Sequence, residues 1–153
     1  GPADLEALGA AVAAGRRRGA PVGAGTVVSA DLVAQVAAAG AAFTVSPGLD
    51  EDVLAASHAA GLPHLPGVAT ASEISRALRL GVNWLKAFPA AALGASWFSA
   101  MRGPFPQVRF VATGGVTAAN ARELLTAGAA AVALGSGFAD TDPEELRALG
   151  AAR

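Results

Sequence analysis

The sequence predicts an α/β protein with a TIM-type (β/α)8 barrel fold, of which this chain carries six strands. Short apolar runs recur at intervals of somewhat over twenty residues, each followed by a Gly or Pro turn and an Ala/Leu-rich helical stretch. Nearly continuous apolar runs are typical of parallel strands buried on both faces. Strands that alternate with helices form a parallel sheet covered by helices, either a barrel or a doubly wound sheet. The near-constant length of the unit favours the barrel.

Six runs are predicted as strands because each is short, apolar and bounded by Gly or Pro. They are PVGAGTV from Pro21, AFTVSPG from Ala42, LPHLPG from Leu62, NWLKAFP from Asn83, VRFVATGG from Val108 and AAVALGSG from Ala130.

The helices between these runs carry start and stop signals. Thr70 and Glu73 form a T-x-x-E capping box before ISRALRLG, and Gly81 ends that helix. Two further helices begin after a capping residue and end on a glycine: ADLVAQVAAAG after Ser29, ending at Gly40, and AANARELLTAG after Thr117, ending at Gly128. The first segment, ADLEALGAAVAAGRRRG, and the last, DPEELRALGAAR, are also predicted to be helical.

Length and composition indicate one domain with a sizeable core. The chain has 153 residues, of which 53% are hydrophobic and 15% charged. A barrel of eight units would need on the order of fifty more residues before Gly1. We therefore expect residues 1–153 to form a single, N-terminally incomplete barrel domain, with an open six-stranded sheet as the alternative.

Several classes of function are disfavoured by the composition. The net charge of -1 argues against a nucleic-acid surface, and the absence of cysteine excludes disulfides and thiolate metal sites. No uninterrupted apolar run of about eighteen residues is present, so no membrane span is expected. No secretory signal is visible, and a cytoplasmic location is the expectation.

Lys86 is the candidate nucleophile. It is the sole lysine in a chain with ten arginines, and it lies in the apolar strand NWLKAFP. The ordinary interpretation is a side chain whose charged tip reaches water at the strand end. A desolvated lysine, however, can lose its proton and form an imine, which arginine cannot. We therefore expect a covalent amine nucleophile at this position.

Two glycine-rich turns are candidate phosphate sites. TGG, ending in Gly114 and Gly115, follows one strand, and the turn Gly135–Ser136–Gly137 follows the next. Backbone N–H groups in such turns, together with a helix N-terminus, suit an anion. The alternative is that the glycines serve only tight turns. In barrel enzymes the phosphate usually lies over the last two strands, which favours the site.

The remaining histidines and aromatic residues are interpreted as structural. His58 lies in a predicted helix and His64 in a predicted strand, and they lack the spacing of a metal-binding pair. The two tryptophans, Trp84 and Trp97, and the phenylalanines are expected in the core. Phe88 is the exception, because it lies two residues after Lys86 on the same strand face. No metal site is predicted.

The ordered motifs VGAGTV, VSPGL, PGVATASE, WLKAFPAA, RGPFPQVRFVATGGV and LGSGF resemble the 2-keto-3-deoxy-6-phosphogluconate (KDPG) / 4-hydroxy-2-oxoglutarate aldolases. These are class I aldolases with a (β/α)8 barrel. The resemblance covers nearly the whole chain, from the first helix to Phe138. It implies a lyase that needs no cofactor and cleaves a phosphorylated 2-keto-3-deoxy sugar acid into pyruvate and glyceraldehyde 3-phosphate, and it implies a homotrimer.

The resemblance also implies a role for each matching residue. Lys86 would form the Schiff base with the keto carbon, and Thr26 would contact the pyruvate carboxylate. The residues that would line the pocket are Pro47, Phe88 and Thr113. The residues that would hold the phosphate are Gly114, Gly115, Gly135, Ser136 and Gly137. The position of Ser136 is closer to the galactonate-series relatives, which leaves the sugar epimer open.

One departure from the family keeps other functions open. The family's general acid/base is a glutamate, followed closely by a carboxylate-binding arginine, and both would lie in a segment before Ala3. Without that segment, a catalytically weak barrel fragment that binds phosphorylated ligands is the second hypothesis. A phosphosugar isomerase or epimerase is the third, although it leaves the sole lysine unexplained.

Overall fold

The computed structural model describes residues 4–135, 142–144 and 147, and within them helices alternate with parallel strands. The helices are α1 (Leu5–Arg18), α2 (Ala30–Ala38), α3 (Glu51–Ala59), α4 (Ala71–Arg79), α5 (Ala90–Arg102) and α6 (Ala118–Ala127). The strands are β1 (Thr44–Val45), β2 (His64–Leu65), β3 (Gly67–Val68), β4 (Trp84–Ala87), β5 (Arg109–Thr113) and β6 (Ala131–Ala133). The alternation confirms the α/β class.

The strands form two sheets. β1 pairs with β2 in parallel, and a four-stranded sheet has the order β3-β4-β5-β6. Within it the pairs β4–β5 and β5–β6 are parallel. Parallel neighbours along a sheet place the ends of successive strands at one edge, where the turns that follow them can meet.

Two of the six predicted strands differ from the prediction. The run from Pro21 forms backbone hydrogen bonds with residues 42–45 through Val22, Ala24 and Val27, but its regular pairing is limited to an isolated parallel bridge between Ala24 and Thr44. Its extended backbone is interrupted at Thr26, which has a left-handed φ of 58°. The run from Leu62 is divided at Pro66, which lacks the N–H that a strand ladder needs, so that β2 and β3 belong to different sheets. The count of six continuous strands is therefore not confirmed, while the parallel arrangement is.

The predicted helix signals are confirmed at their capping residues. Ser29 accepts a hydrogen bond from the N–H of Leu32, and Thr70 with Glu73 forms the complete capping box of α4. Gly40 and Gly81 each lie two residues after the last helical residue, with φ of 87° and 79°. These left-handed conformations end a helix at no steric cost only when the residue is glycine.

The C-terminal helix lies mostly outside the described residues. Pro143, Glu144 and Arg147 are helical, and the N–H of Glu144 donates to the side chain of Asp142. Glu145, predicted beside Glu144 at the start of this helix, is not among the described residues.

The chain divides into two compact units, residues 1–67 and 68–153. In the first, α1, α2 and α3 surround a core of aliphatic side chains. Its buried residues are Ala24, Val27, Val33, Val36, Ala41 and Val53. The prediction of a single domain over residues 1–153 stays a prediction.

The second unit has an aromatic core against one face of its sheet. Leu85 and Ala87 of β4 are fully buried, and Phe110 of β5 is buried with them. The rings of Trp97 and Phe98, from α5, meet Phe110 edge to face, with ring centroids 5.1 and 6.1 Å from it. Such pairs add to the stability that burial provides.

Trp84 corrects the expectation that both tryptophans lie in the core. Its side chain is 44% exposed at the first position of β4, and the guanidinium of Arg109 lies 5.5 Å from its ring centroid. Side chains alternate between the faces of a strand, so Trp84 lies opposite the face that Leu85 buries.

In the part of the chain that the structure describes, no helix combines the length and the apolar character needed to cross a membrane.

Candidate active site

Lys86 lies in the middle of the four-stranded sheet, at the third position of β4. It is paired with Val111 of β5, and its side chain is only 8% exposed. The residues on either side, Leu85 and Ala87, point to the opposite, fully buried face. The strand therefore holds the single lysine on one defined face of the sheet.

The amine of Lys86 has an apolar neighbour. Its Nζ lies 4.2 Å from the ring centroid of Phe88. Burial lowers the pKa of Lys86 from its ordinary value of 10.5, because the charged amine loses solvation that the neutral amine does not need. A larger fraction of the amine is therefore unprotonated and nucleophilic at a given pH.

Thr113 lies on the same face of the sheet as Lys86. Lys86 is paired with Val111, and Thr113 follows Val111 by two residues, which is one period of the strand. Both β5 side chains are half-buried, in contrast to Phe110 and Ala112 on the opposite face. The register thus places Lys86 and Thr113 on one face of the sheet, with Thr113 nearer the carboxyl end.

The turn after β5 packs closely against the residues that follow Lys86. Gly114 and Gly115 have φ of 92° and 70°. A Cβ on Gly114 would lie 2.9 Å from the ring of Phe88, and one on Gly115 would lie 2.6 Å from the Cβ of Ala91. Only glycine fits both positions, so these residues let the turn touch the wall of the lysine site.

This turn presents backbone donors at the N-terminus of α6. The carbonyl of Gly114 accepts a hydrogen bond from the N–H of Ala91, with 3.0 Å between N and O. A trans peptide points its N–H opposite to its carbonyl, so the N–H of Gly115 is turned away from Ala91. Within residues 4–135, the N–H groups of Gly115 and Val116 donate no backbone hydrogen bond. Free N–H groups ahead of a helix suit an anion.

The other predicted site residues lie elsewhere in the chain. Thr26 and Pro47 belong to the unit of residues 1–67, while Lys86, Phe88, Thr113, Gly114 and Gly115 belong to the second. Gly135 is exposed after β6, and a Cβ there would meet nothing within 4 Å. Ser136 and Gly137 lie outside the described residues.

Thr26 has an unusual backbone conformation. It is the one residue other than glycine with a positive φ in the described chain, and its side chain is exposed. A β-branched residue in the left-handed region is a genuine outlier. Such strain clusters at ligand sites, where the surrounding structure holds it in place. The family resemblance alone makes Thr26 a candidate in the sequence, and its backbone conformation adds an independent reason.

The turn that carries Pro47 is fixed by a buried polar network. The hydroxyl of Ser46 donates to the carbonyl of Gly48 over 2.6 Å and accepts from Nε2 of His64 over 3.2 Å. Nδ1 of His64 lies 2.8 Å from the hydroxyl of Thr44, which in turn lies 2.9 Å from that of Ser57. His64 is therefore a satisfied buried histidine, in agreement with its structural interpretation.

The described residues hold no cluster of three or more His, Cys, Asp or Glu side chains that could bind a metal ion.

A comparison with protein families matches residues 4–150 to the family described as "Aldolase: KDPG and KHG aldolase". The match includes all the candidate site residues.

Curated relatives carry the same description. The chain is 40% identical over 125 residues to the 2-dehydro-3-deoxy-phosphogluconate aldolase of Pseudoalteromonas atlantica, covering 81% of this chain and 58% of the relative. It is 45% identical over 105 residues to the KHG/KDPG aldolase of Escherichia coli, covering 68% of this chain and 49% of the relative. The chain thus spans about half the length of these relatives.

A solved structure is similar over most of the chain. It is the KDPG aldolase of Legionella pneumophila, with pyruvate captured at low pH as a covalent carbinolamine intermediate. The TM-score is 0.77 at 38% identity, and the alignment covers 84% of this chain and 62% of that one.

Proposed function

The chain belongs to the KDPG and KHG aldolase family, and on that premise we propose that it is a Schiff-base aldolase with Lys86 as the nucleophile. The reaction is the cleavage of 2-keto-3-deoxy-6-phosphogluconate to pyruvate and glyceraldehyde 3-phosphate. The activity and the substrate are proposed rather than taken from the relatives, because the relatives are about twice as long as the aligned part of the chain.

The observation that carries the proposal is the environment of Lys86. It is the sole lysine, it is 8% exposed, and burial lowers its pKa. Keeping a buried amine charged costs solvation free energy, and the attraction of the Phe88 ring face for the ammonium offsets only part of that cost. Covalent catalysis gives such a residue a purpose.

The first step is attack on the substrate's C2 carbonyl. The lone pair of the neutral Lys86 amine forms the C–N bond, the carbonyl oxygen takes up a proton, and a carbinolamine results. Loss of water then gives a protonated imine. Covalent trapping of pyruvate as a carbinolamine is what the Legionella pneumophila relative shows.

The second step breaks the C3–C4 bond. The C4 hydroxyl loses its proton, the bond electrons move into the protonated imine to give an enamine, and glyceraldehyde 3-phosphate leaves as the aldehyde. The enamine is then protonated at C3, and water releases pyruvate and restores the Lys86 amine. The positive imine nitrogen is the electron sink, so the chemistry needs no metal ion.

The binding residues keep their proposed roles. Gly114 and Gly115 hold the phosphate, supported by the free N–H groups of their turn. Gly135, Ser136 and Gly137 complete the phosphate site. Thr26 binds the pyruvate carboxylate, and Pro47, Phe88 and Thr113 line the pocket. The contact of Phe88 with Lys86 supports its place there.

We also infer that the protein assembles as a homotrimer, since the family implies that state. Light scattering on a size-exclusion column checks it, because three copies of the chain are expected to elute together.

The proposed activity is tested by measuring pyruvate release with a coupled lactate dehydrogenase assay. The wild type is expected to cleave the phosphorylated 2-keto-3-deoxy acid, and Lys86→Arg is expected to be inactive, because arginine keeps a positive charge but cannot form an imine. Comparing the gluconate and galactonate epimers assigns the sugar series. Equal turnover by Lys86→Arg would contradict the proposal.

The second candidate, a weak phospho-ligand-binding barrel, predicts a different outcome. It is favoured by the fact that none of the described strands β1–β6 carries an Asp or Glu that could act as the general acid or base. In that case phosphorylated ligands bind and pyruvate forms an imine, while pyruvate release from the sugar acid stays at background. A general acid or base commonly contributes about 10²–10⁴-fold in rate, which sets the size of the expected defect.

A further inference from the structure

The side chain of Asn120 bridges the two ends of the turn that follows β5. Its Nδ2 donates to the carbonyl of Gly115 over 2.9 Å, and its Oδ1 accepts from the N–H of Thr117, also over 2.9 Å. The N–H of Thr117 requires an oxygen and the carbonyl of Gly115 requires a donor, so the two partners fix the orientation of the amide.

The bond to Gly115 decides where the next N–H points. In a planar trans peptide, the carbonyl of Gly115 and the N–H of Val116 point in opposite directions. With this carbonyl held by Asn120, the N–H of Val116 is turned away from α6, just as the Ala91 bond to Gly114 turns the N–H of Gly115. The turn's two glycine carbonyls are thus both anchored, and neither faces an incoming anion.

The bond to Thr117 removes a competing donor. The N–H of Thr117 is engaged by Asn120 and is not offered to a ligand. Among the residues of this turn, the N–H groups of Gly115 and Val116 donate no backbone hydrogen bond within residues 4–135. Gly115, with a φ of 70°, has no side chain that would restrict the peptide that follows it. The hydrogen bond from the Asn120 side chain supplies that restraint.

We propose that Asn120 is a positioning residue for the phosphate of the substrate: it locks the Gly115–Val116 peptide so that the Val116 N–H is presented to the anion. The inference rests on the proposed function, which makes this turn a phosphate site. Asn120 acts through the backbone carbonyl of Gly115 rather than by contact with substrate.

The test is a titration of the full chain with inorganic phosphate, followed by the amide resonances of Gly115 and Val116 in ¹H–¹⁵N NMR spectra. In the wild type both resonances are expected to shift. In Asn120→Ala and Asn120→Asp the shift of Val116 should vanish, and phosphate affinity should fall roughly tenfold, the size expected for one hydrogen bond to a charged group. Asn120→Asp keeps the acceptor for Thr117 and loses only the donor to Gly115.

Two comparisons distinguish the proposed positioning role of Asn120 from a loss of helix stability and from the effect of an added negative charge. Glu73→Ala removes the residue at the same position of the α4 cap, where Glu73 accepts the N–H of Thr70 over 2.9 Å. It should lower stability as Asn120→Ala does, with phosphate affinity unchanged. Asn120→Ala introduces no charge, so equal losses in the Ala and Asp variants assign the effect to the missing amide donor.

The inference and the proposed function can fail separately. Reductive trapping of pyruvate on Lys86 does not involve phosphate, so the Asn120 variants should trap it as the wild type does. Unchanged phosphate affinity in both Asn120 variants, or an equal loss in Glu73→Ala, would overturn the role of Asn120 while leaving the imine chemistry intact. A wild type whose Gly115 and Val116 resonances ignore phosphate would overturn it as well. Failure of the wild type to trap pyruvate on Lys86 would instead contradict the proposed function.

Discussion

A single residue, Lys86, joins the chemistry proposed here to the fold. The strand β4 buries its neighbours Leu85 and Ala87 on one face and leaves the lysine on the other, 4.2 Å from the ring centroid of Phe88. The same burial that makes the charged amine costly makes the neutral amine available. Burial of the Lys86 amine therefore explains both the cost of keeping it charged and its reactivity as a nucleophile.

The pKa of Lys86 can be measured without interference, because the chain has no other lysine. Selective ¹³C labelling of lysine is expected to give one Cε resonance whose titration midpoint lies below 10.5, since burial disfavours the charged form. The amine thus becomes reactive at lower pH than an exposed lysine. A midpoint at or above 10.5 would show that the site stabilises the ammonium instead.

Thr26 tests whether backbone strain serves binding. Thr26→Gly relieves a left-handed conformation that costs a residue with a Cβ roughly 1–2 kcal/mol, partly offset by the flexibility of glycine in the unfolded chain. We expect the free energy of unfolding to stay the same or to rise by up to about 1 kcal/mol. We also expect more pyruvate to be needed for half-maximal trapping on Lys86.

Thr26→Ser keeps the hydroxyl and is the matched control for pyruvate binding. If Thr26→Gly traps pyruvate at the same concentrations as the wild type, the hydroxyl does not bind the carboxylate and the role given to Thr26 is wrong.

Among the structural elements, the turn after β5 is where glycine is required twice over. Gly114 combines a positive φ with a close approach to the ring of Phe88. Gly81, at the end of α4, has a similar φ of 79° but no neighbour within 4 Å of a Cβ. A comparison of Gly81 with Gly114 therefore separates the free-energy cost of the backbone conformation from that of the steric clash with Phe88.

We expect Gly81→Ala to lower the free energy of unfolding by about 1 kcal/mol, the conformational cost alone. Gly114→Ala should lower it by about 2–4 kcal/mol, because displacing the Phe88 ring adds a packing penalty. Urea denaturation measures both. Equal losses would mean that the turn yields without moving Phe88, and the proposed coupling of the turn to the lysine site would be contradicted.

Across the whole molecule, His64 makes stability depend on pH. Its pKa is lowered from 6.5 to about 4, chiefly by burial and further by the positive charge of His58, with Asp50 acting in the opposite direction. The unfolded chain therefore binds a proton at higher pH than the folded chain does. The contribution of neutral His64 to stability is therefore fullest well above pH 6.5 and is lost as the pH falls from 6.5 towards 4.

The expected loss across that range is on the order of 3 kcal/mol. Urea denaturation at several pH values measures it. His64→Gln, which cannot titrate, should flatten this dependence, whereas His58→Gln should change it only slightly. A His64→Gln variant with the full decline would show that other groups control acid stability.

Much of the fold was predictable because regular periodicity leaves little freedom. Apolar runs between capped helices indicated parallel strands, and the Ser29 and Thr70 caps formed as predicted. The failures arose where a single residue overrides the pattern. The left-handed Thr26 interrupts the first strand, Pro66 divides the third, and the alternation of β4 exposes Trp84.

The candidate site was predictable to the extent that it depends on side-chain chemistry. A sole lysine in a strand, and glycines after the last strands, are visible in a sequence. Asn120 was not, since its role depends on which carbonyl its amide meets, and that follows from the path of the turn. The link from Phe88 to Gly114 likewise appears only when the turn is folded against the strand.

The central claim is that Lys86 is a covalent nucleophile, and one measurement tests it most directly. The chain is incubated with pyruvate, reduced with borohydride, digested and analysed by mass spectrometry. We expect the mass of one reduced pyruvyl group on the peptide that contains Lys86, and no such mass in Lys86→Arg. A wild type without the adduct, or with the adduct on the N-terminal amine alone, would contradict the claim.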